Sequence, residues 1–280
     1  MIKEEFISNN GKVYTFDRKT GFKTKNKTVI AITDEGEFFL KEYNQGSREI
    51  TTLSRLEHKG IILPTDIVRG KNGKYYIVFP YFNESTSLRD LMNTQESIRQ
   101  PYLLDQRLAS VLDHVHSRGI VHLDIKPENI LLVECNERYA KLIDFEAAVD
   151  LLYEQPNNFF YTPEYTSLEF ELKNEVSPAV DIYSYGVILY ELLSKQFPRR
   201  ITSERLRKDF LRKGGYKEYM EYLLSHPQYA TSIGILNPEQ IDKDCFGKDK
   251  KLVSLVKFCT DMDPSNRPKA YDIMSYLESI

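Results

Sequence analysis

The segment Val121-His122-Leu123-Asp124-Ile125-Lys126-Pro127-Glu128-Asn129-Ile130-Leu131-Leu132 constrains this chain more than any other stretch, because it sets three kinds of polar side chain between two apolar runs. Such a pattern reads as a loop delivered by a helix and taken up by a strand. An Asp that accepts a hydroxyl proton, a Lys two residues on that neutralises phosphoryl charge and an Asn three further on that holds a metal suit phosphoryl transfer. Asp124, Lys126 and Asn129 are those residues.

This loop resembles the catalytic loop of eukaryotic-type serine/threonine protein kinases, whose pattern is His-Arg-Asp, then Lys, then Asn. Leu123 departs from it, standing where the family usually has Arg. The resemblance extends over about residues 12–280, with the motifs in family order. It implies an α+β, bilobal fold with ATP in the cleft. Residues 1–82 would form a small lobe with an antiparallel five-stranded sheet, a regulatory helix and a hinge. Residues 83–280 would form a larger, mainly helical lobe.

Composition agrees with a folded domain of this size. Of 280 residues 41% are hydrophobic, enough for a substantial core. Acidic residues (41) nearly balance basic ones (38), so the net charge of −3 exerts no global pull toward nucleic acid or an anionic membrane. Cys135, Cys245 and Cys259 are odd in number and far apart, which argues against a disulfide framework or a zinc site and for a reducing, cytoplasmic setting. The first residues lack an apolar signal core, and the longest apolar run, near Gly186, is interrupted by Glu191.

Short alternating runs at 13–16, 29–32 and 38–40 predict three strands, the last two joined by the turn Thr33-Asp34-Glu35-Gly36. By the resemblance, Lys41 contacts the α- and β-phosphates of ATP, and Glu49, on a helix over 47–58 with Ser47 as N-cap, pairs with it. The glycine-rich loop of such kinases is reduced here to a single glycine, Gly21, in a basic stretch where Lys23, Lys25 or Lys27 is a candidate to supply the missing positive charge. Further strands are predicted at Ile61-Ile62-Leu63 and Tyr75-Tyr76-Ile77-Val78-Phe79, with an Asn72-Gly73 turn before the second. The hinge follows: the resemblance makes Phe79 the gatekeeper and gives the adenine contacts to the Pro80 carbonyl and the Phe82 amide. The polar stretch 83–87 reads as the linker between lobes.

An amphipathic helix through Leu104, Leu108, Leu112 and Val115, closed by Arg118-Gly119, leads into the loop. His58, His114 and His116 lack ligand partners at metal spacing and read as structural. Asp144-Phe145-Glu146 resembles the family's Asp-Phe-Gly, which makes Asp144 the Mg²⁺ ligand beside Asn129 and puts Glu in place of a flexible glycine. Tyr161-Thr162-Pro163-Glu164-Tyr165 resembles the end of the activation segment. Thr162 would then bond Asp124 and Lys126 and favour Ser/Thr acceptors. Glu169 would pair with Arg267, and Asp181 would anchor the catalytic-loop backbone. The basic run at 199–213 is a candidate docking surface for an acidic partner.

The implied activity is transfer of the γ-phosphoryl group of Mg-ATP to Ser or Thr of a protein substrate. With Leu123 in place of the phosphate-sensing Arg, activity independent of activation-segment phosphorylation is expected. A pseudokinase scaffold is the rival, resting on the altered phosphate loop and Glu146. A small-molecule phosphotransferase of the aminoglycoside type ranks last, since it lacks counterparts of Lys126, Glu169 and Arg267.

Overall fold

Residues two apart face one interior in the first third of the chain, and the strands that carry them close on themselves. The computed structural model describes residues 3–17, 28–43, 47–94, 101–135, 137–153, 159–197, 208, 212, 216–226, 228–229 and 235–279. Its first six strands are β1 (Lys3–Ser8), β2 (Val13–Asp17), β3 (Thr28–Thr33), β4 (Gly36–Glu42), β5 (Asp66–Gly70) and β6 (Tyr75–Pro80). They form a closed antiparallel barrel in the order β1-β2-β3-β4-β6-β5, with β5 returning to β1. Tyr14 and Phe16, Val29 and Ala31, and Tyr76 and Val78 fill its interior with Leu40 and Val68.

The barrel corrects the expectation of a five-stranded sheet. Strand β1 pairs with both β2 and β5, yet among its described side chains only Phe6 joins the barrel core, so its sequence carries no alternating apolar signal. The strand expected at Ile61-Ile62-Leu63 is reduced to one bridge between Ile61 and Leu142. Pro64 brings no N–H to a ladder, and pairing resumes beyond it at Asp66. Both expected turns form: Thr33 lies opposite Gly36, and Gly73 takes φ +78° in the turn before β6.

Helix α1 (Glu49–Leu53) is much shorter than the expected 47–58. Thr51 and Thr52 are poor helix formers, the Ser54 hydroxyl donates to the Thr51 carbonyl at 2.8 Å, and beyond it the backbone tightens to i−3 bonds from Arg55 to Thr52 and from Leu56 to Leu53. The N-cap residue is Arg48, while Ser47 Oγ accepts from the Glu49 N–H at 3.2 Å. Leu53 and Leu56 still bury as one apolar face.

Of the expected linker 83–87, Ser85–Ser87 is a strand, β7, followed by α2 (Leu88–Asn93) and α3 (Pro101–Ser117). Gly119, with φ +70°, turns the chain into β8 (Ile120–Val121). After the loop come β9 (Ile130–Cys135), β10 (Glu137–Leu142) and β11 (Val149–Asp150); β7 and β10 flank β9, and β11 pairs with β8. Helices α4 (Leu168–Lys173), α5 (Pro178–Ser194), α6 (Tyr216–Ser225), α7 (Pro238–Asp244), α8 (Lys250–Cys259) and α9 (Ala270–Glu278) complete the described part. Helix α5 is buried from Val180 to Leu193 and centres the main core. A Cβ on Gly186 would stand 2.6 Å from the Cβ of Cys259, so α5 and α8 meet where only glycine fits. Among the described residues no helix is long and apolar enough to cross a membrane.

Candidate active site

The catalytic-loop backbone hangs on one buried carboxylate. Asp181 of α5, fully buried, accepts the N–H of His122 at 2.8 Å and of Leu123 at 2.9 Å, and its Oδ2 also lies 2.9 Å from His116 Nε2. Each charge-assisted bond is worth about 1.5–3 kcal/mol, enough to hold Leu123 at φ +64° although it is not glycine. His116 is thus structural, as expected. So are His58 and His114: His58 Nδ1 accepts from Gly60 N–H, and His114 Nε2 accepts from Glu57 N–H.

That anchoring aims the loop's polar side chains at one another. Asp124 Oδ1 accepts from the Thr162 hydroxyl at 2.6 Å, and Lys126 Nζ lies 2.9 Å from Thr162 Oγ1 and 2.7 Å from Asp124 Oδ2. Asn129 Nδ2 donates to the Asp124 carbonyl at 2.9 Å and to its Oδ2 at 3.0 Å. With the nitrogen committed, Oδ1 is the donor atom Asn129 has for a metal. The backbone carbonyl of Asn129 takes the N–H of Ile143 at 3.0 Å, which brings the Asp144 turn alongside.

His122 braces that turn, a role the sequence reading did not assign. Its Nδ1 accepts from Asp124 N–H, so Nε2 carries the proton and donates to the Ile143 carbonyl at 3.2 Å. Burial holds this imidazole below its ordinary pKa, so it remains neutral. Phe145 packs edge-on against it with centroids 4.6 Å apart.

Lys41 reaches the same place from β4. Its ammonium lies 2.9 Å from Glu49, 2.8 Å from Asp144 and 3.2 Å from Glu146. Burial opposes the charge on Lys41, but Asp144 and Glu49 outweigh it and raise the pKa. For Asp144, partial burial opposes ionisation and the Lys41 ammonium more than compensates, holding the carboxyl below the usual range. Glu49, almost wholly buried, is pushed up by desolvation against the pull of Lys41. The Glu146 contact was not foreseen. Asp144, not Glu146, adopts the left-handed backbone here, with φ +63°, so a side chain is accommodated where the family has glycine.

One further expectation holds as geometry. Arg267 and Glu169 pair at 2.6 Å with both side chains buried, and Arg267 also donates to the carbonyls of Ala179 and Asp261. Leu123 is 1% exposed in an apolar cluster with Val149, Phe170 and Val180, against which Phe159 and Tyr161 of the activation segment pack. Reasoning from sequence missed the knot around Arg89, which joins Glu128 of the loop, Glu191 of α5 and the Tyr165 hydroxyl. Glu191, a carboxylate inside an apolar run, was its one legible trace.

Pro80 ends β6 opposite Phe38, Phe79 packs partly buried on the main core, and the Phe82 carbonyl accepts from Ser85 Oγ at 2.6 Å. Lys23, Lys25 and Lys27 lie outside the described residues, as does the basic run at 199–213 apart from residues 208 and 212. Among the described residues no group of three or more His, Cys, Asp or Glu side chains is placed to hold a metal. Asn129 of the loop and Asp144 of the adjoining turn offer one amide oxygen and one carboxylate. These are hard donors, too few for an all-protein cage and suited to an ion that keeps water and phosphate oxygens in its shell.

The protein kinase domain family matches residues 9–277, and the chain belongs to that family. It is 27% identical over 268 residues, 93% of this chain, to a Drosophila melanogaster protein provisionally named mitogen-activated protein kinase kinase kinase 7-like, of which it spans 61%. Over 266 residues it is 29% identical to a protein of Acanthamoeba polyphaga mimivirus provisionally named serine/threonine-protein kinase R436, covering 91% of this chain and 85% of that protein. Identity to serine/threonine-protein kinase pkn2 of Myxococcus xanthus is 30% over 268 residues, 93% of this chain and 29% of that protein.

Proposed function

We propose that this chain transfers the γ-phosphoryl group of ATP to a Ser or Thr hydroxyl of a protein substrate. The observation that carries the reading is the joint placement of Asp124, Lys126, Asn129, Asp144 and Lys41 from separate turns and strands, linked by contacts of 2.7–3.0 Å. Asp124 orients the acceptor hydroxyl and takes its proton, while Lys126 stabilises the migrating charge. Lys41, held by Glu49, binds the α- and β-phosphates. Asn129 and Asp144 would hold Mg²⁺, which would supply charge neutralisation at the transferring phosphates. The Pro80 carbonyl and Phe82 amide take the adenine edge in front of Phe79, in a cleft between a lobe of residues 1–82 and one of residues 83–280.

Ser/Thr preference rests on the Lys126–Thr162 contact and on the names of the mimivirus and Myxococcus relatives. Independence from activation-segment phosphate rests on Leu123, whose apolar cluster holds Phe159 and Tyr161 without a charge. A cytoplasmic setting suits the buried free thiol of Cys245.

Incubation of the purified protein with γ-labelled ATP and Mg²⁺, beside Asp144→Ala and Lys41→Met, tests the reading. Label entering protein Ser or Thr with the parent alone supports it. Equal background in all three, without a thermal shift on adding nucleotide, would make the chain a scaffold instead.

A further inference from the structure

A cavity of about 310 Å³ opens away from the catalytic loop, where the turn after α1, one face of α3, strand β10 and helix α9 converge. Its floor is apolar, made by Tyr139, Ala140 and Met274. Its walls are cationic. The Arg107 guanidinium lies 4.5 Å and the Lys59 ammonium 5.9 Å from the centroid of the Tyr139 ring, which fixes two positive charges over one aromatic surface. None of the described lining residues is acidic. Nearby, the Glu278 carboxylate accepts from Gln106 Nε2 at 3.3 Å.

A neutral donor completes the wall. His58 Nδ1 accepts from Gly60 N–H at 3.0 Å, so Nε2 bears the proton and points it at Ser110 Oγ, 3.3 Å away. With its oxygen accepting there, the Ser110 hydroxyl has its own hydrogen to donate. Burial, with the positive charge of Lys59, Arg118 and Lys141 and that of His114 once it protonates, depresses the pKa of His58 and keeps this polarity fixed near neutral pH. Gly60 locks the turn in place, since a Cβ there would lie 2.3 Å from Val111 Cγ2.

We propose that this cavity binds a small organic anion, a phosphate or carboxylate carried on a compact apolar body. The charged group sits between Lys59, Arg107 and the Ser110 hydroxyl, and the body rests on Met274 and Ala140. The volume lies at the lower end of ligand sites and suits a free metabolite. An occupant would bridge the turn that follows the Glu49 helix and the helix that delivers the catalytic loop. The site stands independently of the catalytic reading, because none of its residues belongs to that constellation.

The test uses the full chain labelled with ¹³C-methyl methionine, the Met274 signal being assigned through Met274→Leu. Phenyl phosphate is the probe, with benzoate, inorganic phosphate and benzyl alcohol beside it. Phenyl phosphate should shift the Met274 methyl saturably, more tightly than inorganic phosphate, and benzyl alcohol should leave it unmoved. Affinity should fall at least about tenfold in Lys59→Gln/Arg107→Gln and measurably in Ser110→Ala, each checked for an unchanged melt. Saturating Mg-ATP should not displace the probe. A Met274 signal that never moves, unchanged affinity in the double variant, or displacement by ATP would overturn the assignment.

Discussion

Replacing Leu123 by Arg would restore the residue that the resemblance expects, and the structure states what that restoration costs. Leu123 is 1% exposed among Val121, Val149, Phe170 and Val180. Truncating a leucine so buried to alanine costs about 2–5 kcal/mol through lost transfer energy and the cavity left behind. An arginine retains part of the stem's contacts but brings a guanidinium into a cluster of apolar side chains, and an unpaired buried ion costs several kcal/mol. Leucine and arginine bear similar strain at φ +64°, so the backbone term cancels. Leu123→Arg should therefore destabilise by about 4–6 kcal/mol, a large share of the 5–15 kcal/mol typical of a domain. Urea unfolding of the parent, Leu123→Ala and Leu123→Arg reads this directly. Phosphatase treatment of the parent before the phosphotransfer assay reads the functional half: activity should be unaffected. A loss under about 1 kcal/mol for Leu123→Arg, or a parent silenced by phosphatase, would refute the reasoning.

Glu146→Gly removes one of three carboxylates on Lys41. Because that pair is partly exposed and worth about 0.2–1 kcal/mol, the KM for ATP should fall no more than about fivefold; a rise would show that Glu146 aids nucleotide binding. Acid should weaken the fold early. His58, His114 and His122 are all held below 6.5, so the stability they confer is complete above that pH. It is lost as the pH falls toward their depressed folded values, because the unfolded chain takes up protons the folded one refuses. Melting temperature should drop between about pH 7.5 and 5.5 and drop less in His58→Gln, whereas identical profiles for parent and variant would contradict this assignment. Gly60→Ala should lose about 1–3 kcal/mol in urea, since Val111 is buried and cannot yield; an unchanged midpoint would mean that the turn can move.

Legibility in the sequence followed the strength of the local signal. The loop residues, Lys41 with Glu49, Glu169 with Arg267, and Asp181 under the loop were all readable, because each sits at a position where the chain resembles the protein kinase motifs. The barrel's closing strand was not, since β1 turns only Phe6 into the core. Helix α1 was overextended because Ile50, Leu53 and Leu56 keep a helical period that threonine and serine back-bonding interrupts. The Arg89 knot joins residues 39 to 102 positions apart, and the Glu146–Lys41 pair is about as distant in sequence as its longest link. Such contacts leave no periodic mark, and only the fold brings them together.

The central claim is that Asp124 acts on the acceptor hydroxyl while Lys41, Asn129 and Asp144 hold the nucleotide and its metal. Parallel determination of kcat and of the KM for ATP in the parent and in Asp124→Asn tests it most directly, the isosteric change keeping the side chain's shape and the Asn129 bond to the residue-124 carbonyl. The account expects kcat to fall by about 10²–10⁴ while the KM for ATP changes little. A variant that keeps the parent's kcat would contradict it.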